Sequence, residues 1–154
     1  MTWMIWKTTT DSAEATERLG ETIGRRLRGG EVIELVSDLG GGKTTFVRGL
    51  ARGAGSRDHV ASPTFTVVRE YRTGRLTIHH FDFYRLPDAG VLGSELHELL
   101  QDPHAVVAVE WSDIVRHVLP ARRLTIDIRQ TPEGARELAC RFPSALSYLI
   151  EGKS

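Results

Sequence analysis

Residues 32–48 read VIELVSDLGGGKTTFVR, and this stretch decides the fold. Its Gly-Lys-Thr at 42–44 matches the end of the phosphate-binding loop pattern G-x-x-x-x-G-K-[ST], in which a strand enters the loop and a helix leaves it. The apolar run at 31–36 predicts the strand, and 44–51 predicts the helix. A glycine-rich turn that precedes Lys-Thr by chance is the alternative, and this strand and helix disfavour it.

A loop of this kind binds phosphate mainly through its backbone. Its N–H groups and the positive end of the helix dipole face the phosphates, and glycines let the backbone approach them closely. We expect Lys43 to reach the β- and γ-phosphates and the hydroxyl of Thr44 to bind Mg²⁺. The stretch therefore predicts a site for a nucleoside triphosphate with magnesium.

Ser37 stands where the pattern has its first glycine. That glycine often has a backbone conformation that side chains disfavour, so a serine would cost about 1 kcal/mol if its φ is positive. The residues expected to contact phosphate lie downstream and are intact, so we predict a working loop. A non-hydrolysing, nucleotide-gated scaffold, in which Ser37 marks lost activity, stays open as an alternative.

Two acidic residues end apolar segments elsewhere in the chain. Asp82 follows LTIHHF, and Glu110 follows AVVAV. A strand that ends in a carboxylate is the usual way to place an acid beside a phosphate loop, where it serves the metal or the attacking water. Either acid alone is as compatible with a solvated strand end. Together with Lys43 they favour a catalytic site.

Helix and strand patterns alternate along the rest of the chain. Asp11 and Glu14 have the spacing of a capping box before an amphipathic helix. The remaining predictions are strands at 2–7, 105–109, 124–128 and 136–142, a hairpin of 65–72 with 75–81, and helices at 96–100, 114–119 and 144–151. This mixture indicates an α/β, P-loop NTPase-like three-layer domain, with a mixed, partly parallel central sheet and antiparallel hairpin additions. We expect one domain over 1–154.

Composition argues against several classes of protein. The net charge is zero, whereas dedicated nucleic-acid binders and polybasic membrane binders carry a basic excess. No run of about 18 apolar residues predicts a membrane span. Cys140 is the only cysteine, which fits a reducing cytoplasm, and its alternating surroundings predict a buried structural thiol.

Histidines and arginines outside the loop are candidates for further sites. His80 shares a strand face with Asp82 and His79 does not, so we do not expect a histidine-based transition-metal site. We expect solvated or structural roles for His97, His104 and His117. Arg122-Arg123 is interpreted as a solvated strand start rather than a phosphate or tRNA contact.

The combined motifs resemble one family, the TsaE (YjeE) ATPases of bacterial tRNA modification. The resemblance rests on DLGGGKTTFVRGL at 38–50, SPTFTVVREY at 62–71, HFDFYRL at 80–86 and VEW at 109–111, in the family's order and spacing. This sequence departs from the family at two positions, since the family usually has glycine in place of Ser37 and alanine in place of Gly41.

The resemblance implies a function in the cytoplasm. It implies a Mg²⁺-dependent ATPase that binds the TsaB and TsaD proteins and supports their repeated synthesis of N6-threonylcarbamoyladenosine at position 37 of tRNAs that read codons starting with A. Such a chain would meet tRNA only indirectly, through that complex, and would hydrolyse ATP slowly when alone.

The resemblance also implies roles for individual residues. Lys43 would hold the phosphates and Thr44 the Mg²⁺, while Glu110 matches the family's metal-associated acid. Asp82 matches the other key acid, acting on the metal shell or the water. Thr64 resembles a switch threonine near the γ-phosphate. The other positions implied at the nucleotide are Asp38, Leu39, Gly40, Gly41, Gly42, Thr45 and Arg136, and Trp111 would pack beside the site.

Two other nucleotide-binding functions share such a loop. A P-loop small-molecule kinase would also need an acceptor pocket and usually an arginine-rich lid, and no clear lid segment is found. A GTPase is disfavoured because guanine selection commonly uses an Asn-Lys-x-Asp motif, and the chain contains no asparagine.

Overall fold

A computed structural model describes residues 1–37, 42–58, 68–84 and 86–151. Its helices and strands are, in chain order, β1 (Trp3–Thr10), α1 (Ala13–Arg25), β2 (Val32–Val36), α2 (Lys43–Ala54), β3 (Val68–Arg72), β4 (Thr77–Asp82), α3 (Val91–Leu99), β5 (Ala105–Glu110), β6 (Leu124–Gln130) and β7 (Arg136–Pro143). Two 3₁₀ helices, Ser112–Ile114 and Ser144–Leu149, complete the set. Within these ranges, no helix is both long and apolar enough to cross a membrane.

The strands of the described ranges form one mixed sheet in the order β1-β7-β6-β2-β5-β4-β3. Its centre is parallel, since β2 pairs with β5 and β6, and β4 pairs with β5. The strands β3, β7 and β1 are added antiparallel. This confirms the predicted partly parallel sheet and its hairpins, although 65–67 of the predicted first hairpin strand lie outside the described residues.

Apolar side chains cover both faces of the sheet centre. The helices α1 and α2 pack on one face, where the core includes Ile23, Phe46, Leu50, Leu35 and Ile126. The helix α3 and the segment 112–119 cover the other face, around Phe81, Leu96, Val107, Val109 and Val115. The predicted three layers are therefore present.

Glycines bring α1 and α2 into close contact. A Cβ added to Gly49 would lie 2.0 Å from the carbonyl oxygen of Glu17, and one added to Gly20 would lie 2.4 Å from that of Phe46. Gly24 and Gly53 approach the partner helix in the same way. Because Lys43 begins α2, this contact helps to set the position of the loop lysine relative to the sheet.

The predicted cap of the first helix is wrong by one residue. Ser12, not Asp11, is the N-cap, and its Oγ accepts a hydrogen bond of 3.1 Å from the Ala15 N–H. The cap must be the last residue with extended backbone before the helix, and Ser12 has φ −155° and ψ 162°. Two adjacent polar residues do not reveal which of them holds that conformation.

Three predicted helices also differ from the structure. The segment predicted as a helix at 114–119 consists of turns after Ser112–Ile114, because so few residues before Pro120 do not nucleate an α-helix. The helix α3 begins at Val91 rather than at residue 96, and its early glycine hid that start. The last segment is a 3₁₀ helix, Ser144–Leu149.

Candidate nucleotide site

The candidate site lies where β2, β4 and β5 end and α2 begins. Register pairs Asp82 with Glu110, and Glu110 with Leu35 on the strand that leads to the loop. Parallel strands present their carboxyl ends at one edge of the sheet, and ligands bind there in α/β folds. The two acids, distant in sequence, are thereby placed side by side near Lys43.

Lys43 is almost completely buried, with 7% of its surface exposed. Its Nζ lies 3.4 Å from the carbonyl oxygen of Ser37 and 3.7 Å from Oε1 of Glu110. The same atom lies 4.5 Å from the centre of the Trp111 ring. A buried ammonium needs such compensation, and these three contacts hold it between the loop strand and the strand that ends in an acid.

Glu110 is buried, and each of its two carboxylate oxygens faces a different side chain. Oε1 faces Lys43, whereas Oε2 lies 2.5 Å from Nε2 of His80. His80 is fully buried. No role at the site was predicted for His80. The only available signal was its position two residues before Asp82 in a strand, and that spacing does not show which strand lies alongside.

Asp82 is half-buried at the end of β4. Its Oδ1 accepts a hydrogen bond of 2.9 Å from the Tyr84 N–H, and this closes the turn after the strand. Burial raises the pKa of Asp82 above its ordinary value, and the negative charge of Glu110 adds to the rise. The Tyr84 hydrogen bond and the charges of His80 and Lys43 act in the opposite direction.

Trp111 follows Glu110 in a strained conformation. Its φ is 55°, and in the described ranges no other residue besides glycines has a positive φ. Its ring packs on the Tyr84 ring, with centroids 4.8 Å apart, and it also contacts the Lys43 ammonium. The next residue, Ser112, donates a hydrogen bond to Glu34. These contacts hold the indole beside the lysine, as expected of a residue packed next to the site.

The other expected site residues lie at the start of α2 and at the β6–β7 hairpin. Thr44 and Thr45 occupy the first turn of α2 and are partly exposed. A Cβ added to Gly42 would lie 3.6 Å from Nε of Arg136, so this arginine stands beside the loop. Asp38, Leu39, Gly40, Gly41 and Thr64 lie outside the described residues.

Ser37 has no positive φ, so the condition for backbone strain at this position is not met. The residue is buried, and its carbonyl oxygen accepts a hydrogen bond from Lys43. A serine is therefore accommodated after β2 without the backbone strain of a positive φ.

The expectation of a solvated Arg123 is wrong. Only 19% of its side chain is exposed, and its Nε lies 3.2 Å from Oε1 of Glu34. Glu34 lies on the central strand β2, within the run that was interpreted as apolar. A buried carboxylate needs a cation or hydrogen-bond donors, and that interpretation did not provide for them. Arg122 is exposed, and so are His97, His104 and His117, as expected.

Comparison with known proteins decides the family. The family model of "Threonylcarbamoyl adenosine biosynthesis protein TsaE" matches residues 10–138. The chain belongs to the TsaE family.

Curated TsaE-family relatives cover most of the chain. The proteins named tRNA threonylcarbamoyladenosine biosynthesis protein TsaE include that of Nostoc sp., which is 38% identical over 91% of this chain and 88% of its own length. The Bacillus subtilis protein is 35% identical over 90% and 85%, and the Treponema pallidum protein is 40% identical over 82% and 93%.

A solved structure supports the same fold. The crystal structure of Bacillus subtilis YdiB has a TM-score of 0.80 to this chain at 28% identity, and the match covers 98% of this chain and 95% of YdiB. Together with the TsaE family match, it confirms the family resemblance and the P-loop NTPase-like α/β fold.

Proposed function

We propose that this chain is a Mg²⁺-dependent ATPase that acts in the synthesis of N6-threonylcarbamoyladenosine at position 37 of tRNA. In this proposal the whole chain, 1–154, is one ATPase domain in the cytoplasm, which binds TsaB and TsaD and supports their repeated turnover. TsaE family membership supports the pathway. The participation of TsaB and TsaD rests on the family resemblance.

The observation that carries the ATPase proposal is the pairing of Lys43 with Glu110. A lysine at the start of a helix, 3.7 Å from a buried acid at the end of a parallel strand, is the arrangement that binds phosphate and metal in P-loop proteins. In the proposed reaction Lys43 exchanges its contact with Glu110 for the β- and γ-phosphates.

The donor set at the site fits magnesium. Mg²⁺ prefers oxygen ligands, and Thr44, Asp82 and Glu110 offer a hydroxyl and two carboxylates. These two carboxylates lie close to one ammonium, so a divalent cation would offset the excess negative charge. The bound metal would neutralise charge that develops on the phosphates. Asp82 and Glu110 would hold the metal and orient the attacking water. The proposed contacts of Arg136, Thr64 and the loop with the nucleotide are based on the family resemblance.

The first test compares ATP hydrolysis by wild type, Lys43→Ala and Lys7→Ala, each alone and with TsaB and TsaD. Lys7 is an exposed lysine on β1 and serves as the matched control. We expect TsaB and TsaD to stimulate wild type and Lys7→Ala equally, and Lys43→Ala to lose at least about 100-fold in rate. Removal of Mg²⁺ by chelation should abolish hydrolysis in every sample.

Two results would favour the other candidates. Transfer of phosphate to a small acceptor, rather than to water, would support a P-loop small-molecule kinase. Tight binding of ATP without turnover, even with TsaB and TsaD present, would support a non-hydrolysing, nucleotide-gated scaffold. Equal hydrolysis by Lys43→Ala and wild type would contradict both the proposed site and the proposed ATPase.

A further inference from the structure

The histidine that contacts Glu110 is not explained by packing alone. His80 is fully buried, and its Nδ1 has no hydrogen-bond partner within the part of the chain that the structure describes. A buried polar atom without a partner destabilises the fold, because it has lost its hydrogen bonds to water and gained none in return. An apolar side chain of similar volume would avoid that cost, so the imidazole must compensate through its other nitrogen.

That other nitrogen donates to the acid of the site. His80 Nε2 lies 2.5 Å from Oε2 of Glu110, a short hydrogen bond of the kind that a carboxylate acceptor strengthens. Lys43 Nζ, at 3.7 Å from Oε1, is too distant for a hydrogen bond. Within the described residues, the hydrogen bond seen at the Glu110 side chain therefore comes from His80.

The sheet register explains why this contact is well defined. His80 lies opposite Ala108 on β5, two pairs before the pair of Asp82 with Glu110 and on the same face of the sheet. The small side chain of Ala108 leaves room for the imidazole to reach along the neighbouring strand toward Glu110. The Tyr71 ring packs near the imidazole, with centroids 6.2 Å apart. The ring is thus held between β3 and β5.

We propose that His80 is a positioning residue for Glu110, an inference that rests on the proposed ATPase. By occupying Oε2, His80 directs Oε1 alone toward Lys43 and the metal position. When Lys43 turns to the phosphates, Glu110 loses its ion pair, and the hydrogen bond from His80 keeps the carboxylate oriented. Among the described residues no hydrogen bond or ion pair joins His80 to Lys43, so the effect of His80 should fall on metal use and hydrolysis rather than on the binding of the nucleotide itself.

The test uses two amide variants, His80→Gln and His80→Asn. The glutamine amide nitrogen can occupy the position of Nε2 and donate to Glu110, whereas the asparagine side chain is too short to reach it. Both variants place an amide in the same buried pocket, so a general loss of stability is shared, and thermal unfolding of each measures it.

Three measurements follow for wild type and both variants. The first is the affinity for a fluorescent ATP analogue without Mg²⁺. The second is the Mg²⁺ concentration at which half of the Mg²⁺-induced increase in that affinity is reached. The third is the rate of single-turnover ATP hydrolysis with TsaB and TsaD. We expect His80→Asn to need about 10- to 100-fold more Mg²⁺ and to hydrolyse slower by a similar factor, because supporting residues of metal ligands have effects of this size. His80→Gln should stay within about fivefold of wild type, and metal-free affinity should be unchanged in both.

The possible failures are distinguishable. If wild type binds nucleotide with Mg²⁺ but hydrolyses none with its partners, the ATPase proposal fails, and the Mg²⁺ requirement of His80→Asn still decides the role of His80. Equal losses of Mg²⁺ affinity and hydrolysis rate in the glutamine and asparagine variants would show that His80 contributes only packing. Wild-type behaviour of His80→Asn in metal use would overturn the inference directly.

Discussion

Ser37 departs from the phosphate-loop motif without backbone strain of the kind that the motif glycine avoids. The first glycine of a phosphate loop is needed where the backbone has a positive φ, and Ser37 does not have one. Its carbonyl oxygen, which any residue supplies, lies 3.4 Å from Lys43 Nζ.

Replacing Ser37 with glycine should not improve the protein. We expect Ser37→Gly to lower the free energy of unfolding by about 0.5–1 kcal/mol, because glycine gives the unfolded chain more freedom, and to leave nucleotide affinity unchanged. Urea unfolding and nucleotide titration measure the two effects. Ser37→Ala separates the loss of the hydroxyl from the gain in backbone freedom. A clear increase in affinity in the glycine variant alone would show that the serine strains the loop.

Cys140 illustrates a residue whose chemistry is suppressed by its position. Burial on β7 raises the pKa of its thiol from 9.0 to about 12, so almost no thiolate exists at neutral pH. We expect the native protein to react with a thiol reagent at pH 8 at least about 100-fold more slowly than the urea-unfolded chain. Rapid labelling of the native protein, without loss of structure, would contradict the buried position.

At the scale of elements, the contact between α1 and α2 depends on glycine because helix backbones touch there. The added Cβ at Gly49 would lie 2.0 Å from a backbone oxygen, which no side-chain rotation relieves. The helix that bears Lys43 must then move away from α1. The small residues thus link helix packing to the position of the loop lysine.

The matched substitutions Gly49→Ala and Gly74→Ala test this contact. Gly74 has no heavy atom within 4 Å of an added Cβ. We expect Gly49→Ala to lower the free energy of unfolding by about 3 kcal/mol through overpacking, although alanine favours helices, while Gly74→Ala changes it little. Urea unfolding measures both. A more stable Gly49→Ala variant would mean that α1 and α2 can move apart without a loss of stability.

At the scale of the whole molecule, Glu34 joins parts of the chain that are distant in sequence. It is buried on β2, on the sheet face opposite to Glu110, and accepts a hydrogen bond of 2.9 Å from Thr125 and one from Ser112. Arg123 adds a hydrogen bond of 3.2 Å. This network ties the segment after Trp111 and the start of β6 to the central strand.

The network has a defined pH dependence. Burial raises the pKa of Glu34, but the hydrogen bonds of Ser112 and Thr125 and the charge of Arg123 outweigh it, so the pKa lies below the ordinary 4.5. A lowered pKa in the folded state means that the ionised form stabilises the fold above pH 4.5. This contribution is lost as the pH falls through the folded-state pKa.

Glu34→Gln should therefore destabilise the protein in a pH-dependent manner. We expect a loss of about 2–3 kcal/mol in the free energy of unfolding at pH 7, because Arg123 loses its carboxylate partner, and a shrinking difference from wild type below pH 4.5. Urea unfolding across this pH range measures it, with the exposed Glu133→Gln as control. A difference that stays constant into acid would show that shape, rather than charge, is what the network needs.

Local patterns predicted most of the elements and part of the site. Apolar runs identified β2 and β5, and the position after the glycine loop identified α2, because a strand or helix is formed by neighbours in the chain. The Gly-Lys-Thr run located the loop, and acids at strand ends marked Asp82 and Glu110 as its companions. The error at the first helix cap arose because two adjacent polar residues satisfy the same local rule, and the error at 114–119 arose because the segment before Pro120 is too short to nucleate an α-helix.

The amino-acid sequence by itself determined that the chain has a loop strand, a helix that begins at its lysine and acids at strand ends. Tertiary structure alone decided that β4 lies beside β5 and that His80 therefore reaches Glu110. It also decided that Arg123 pairs with Glu34 instead of facing solvent. These contacts depend on strand order and register, which are set by the packing of both sheet faces at once. Residues far apart in the chain come into contact only through that packing, so no local sequence pattern predicts which of them will meet.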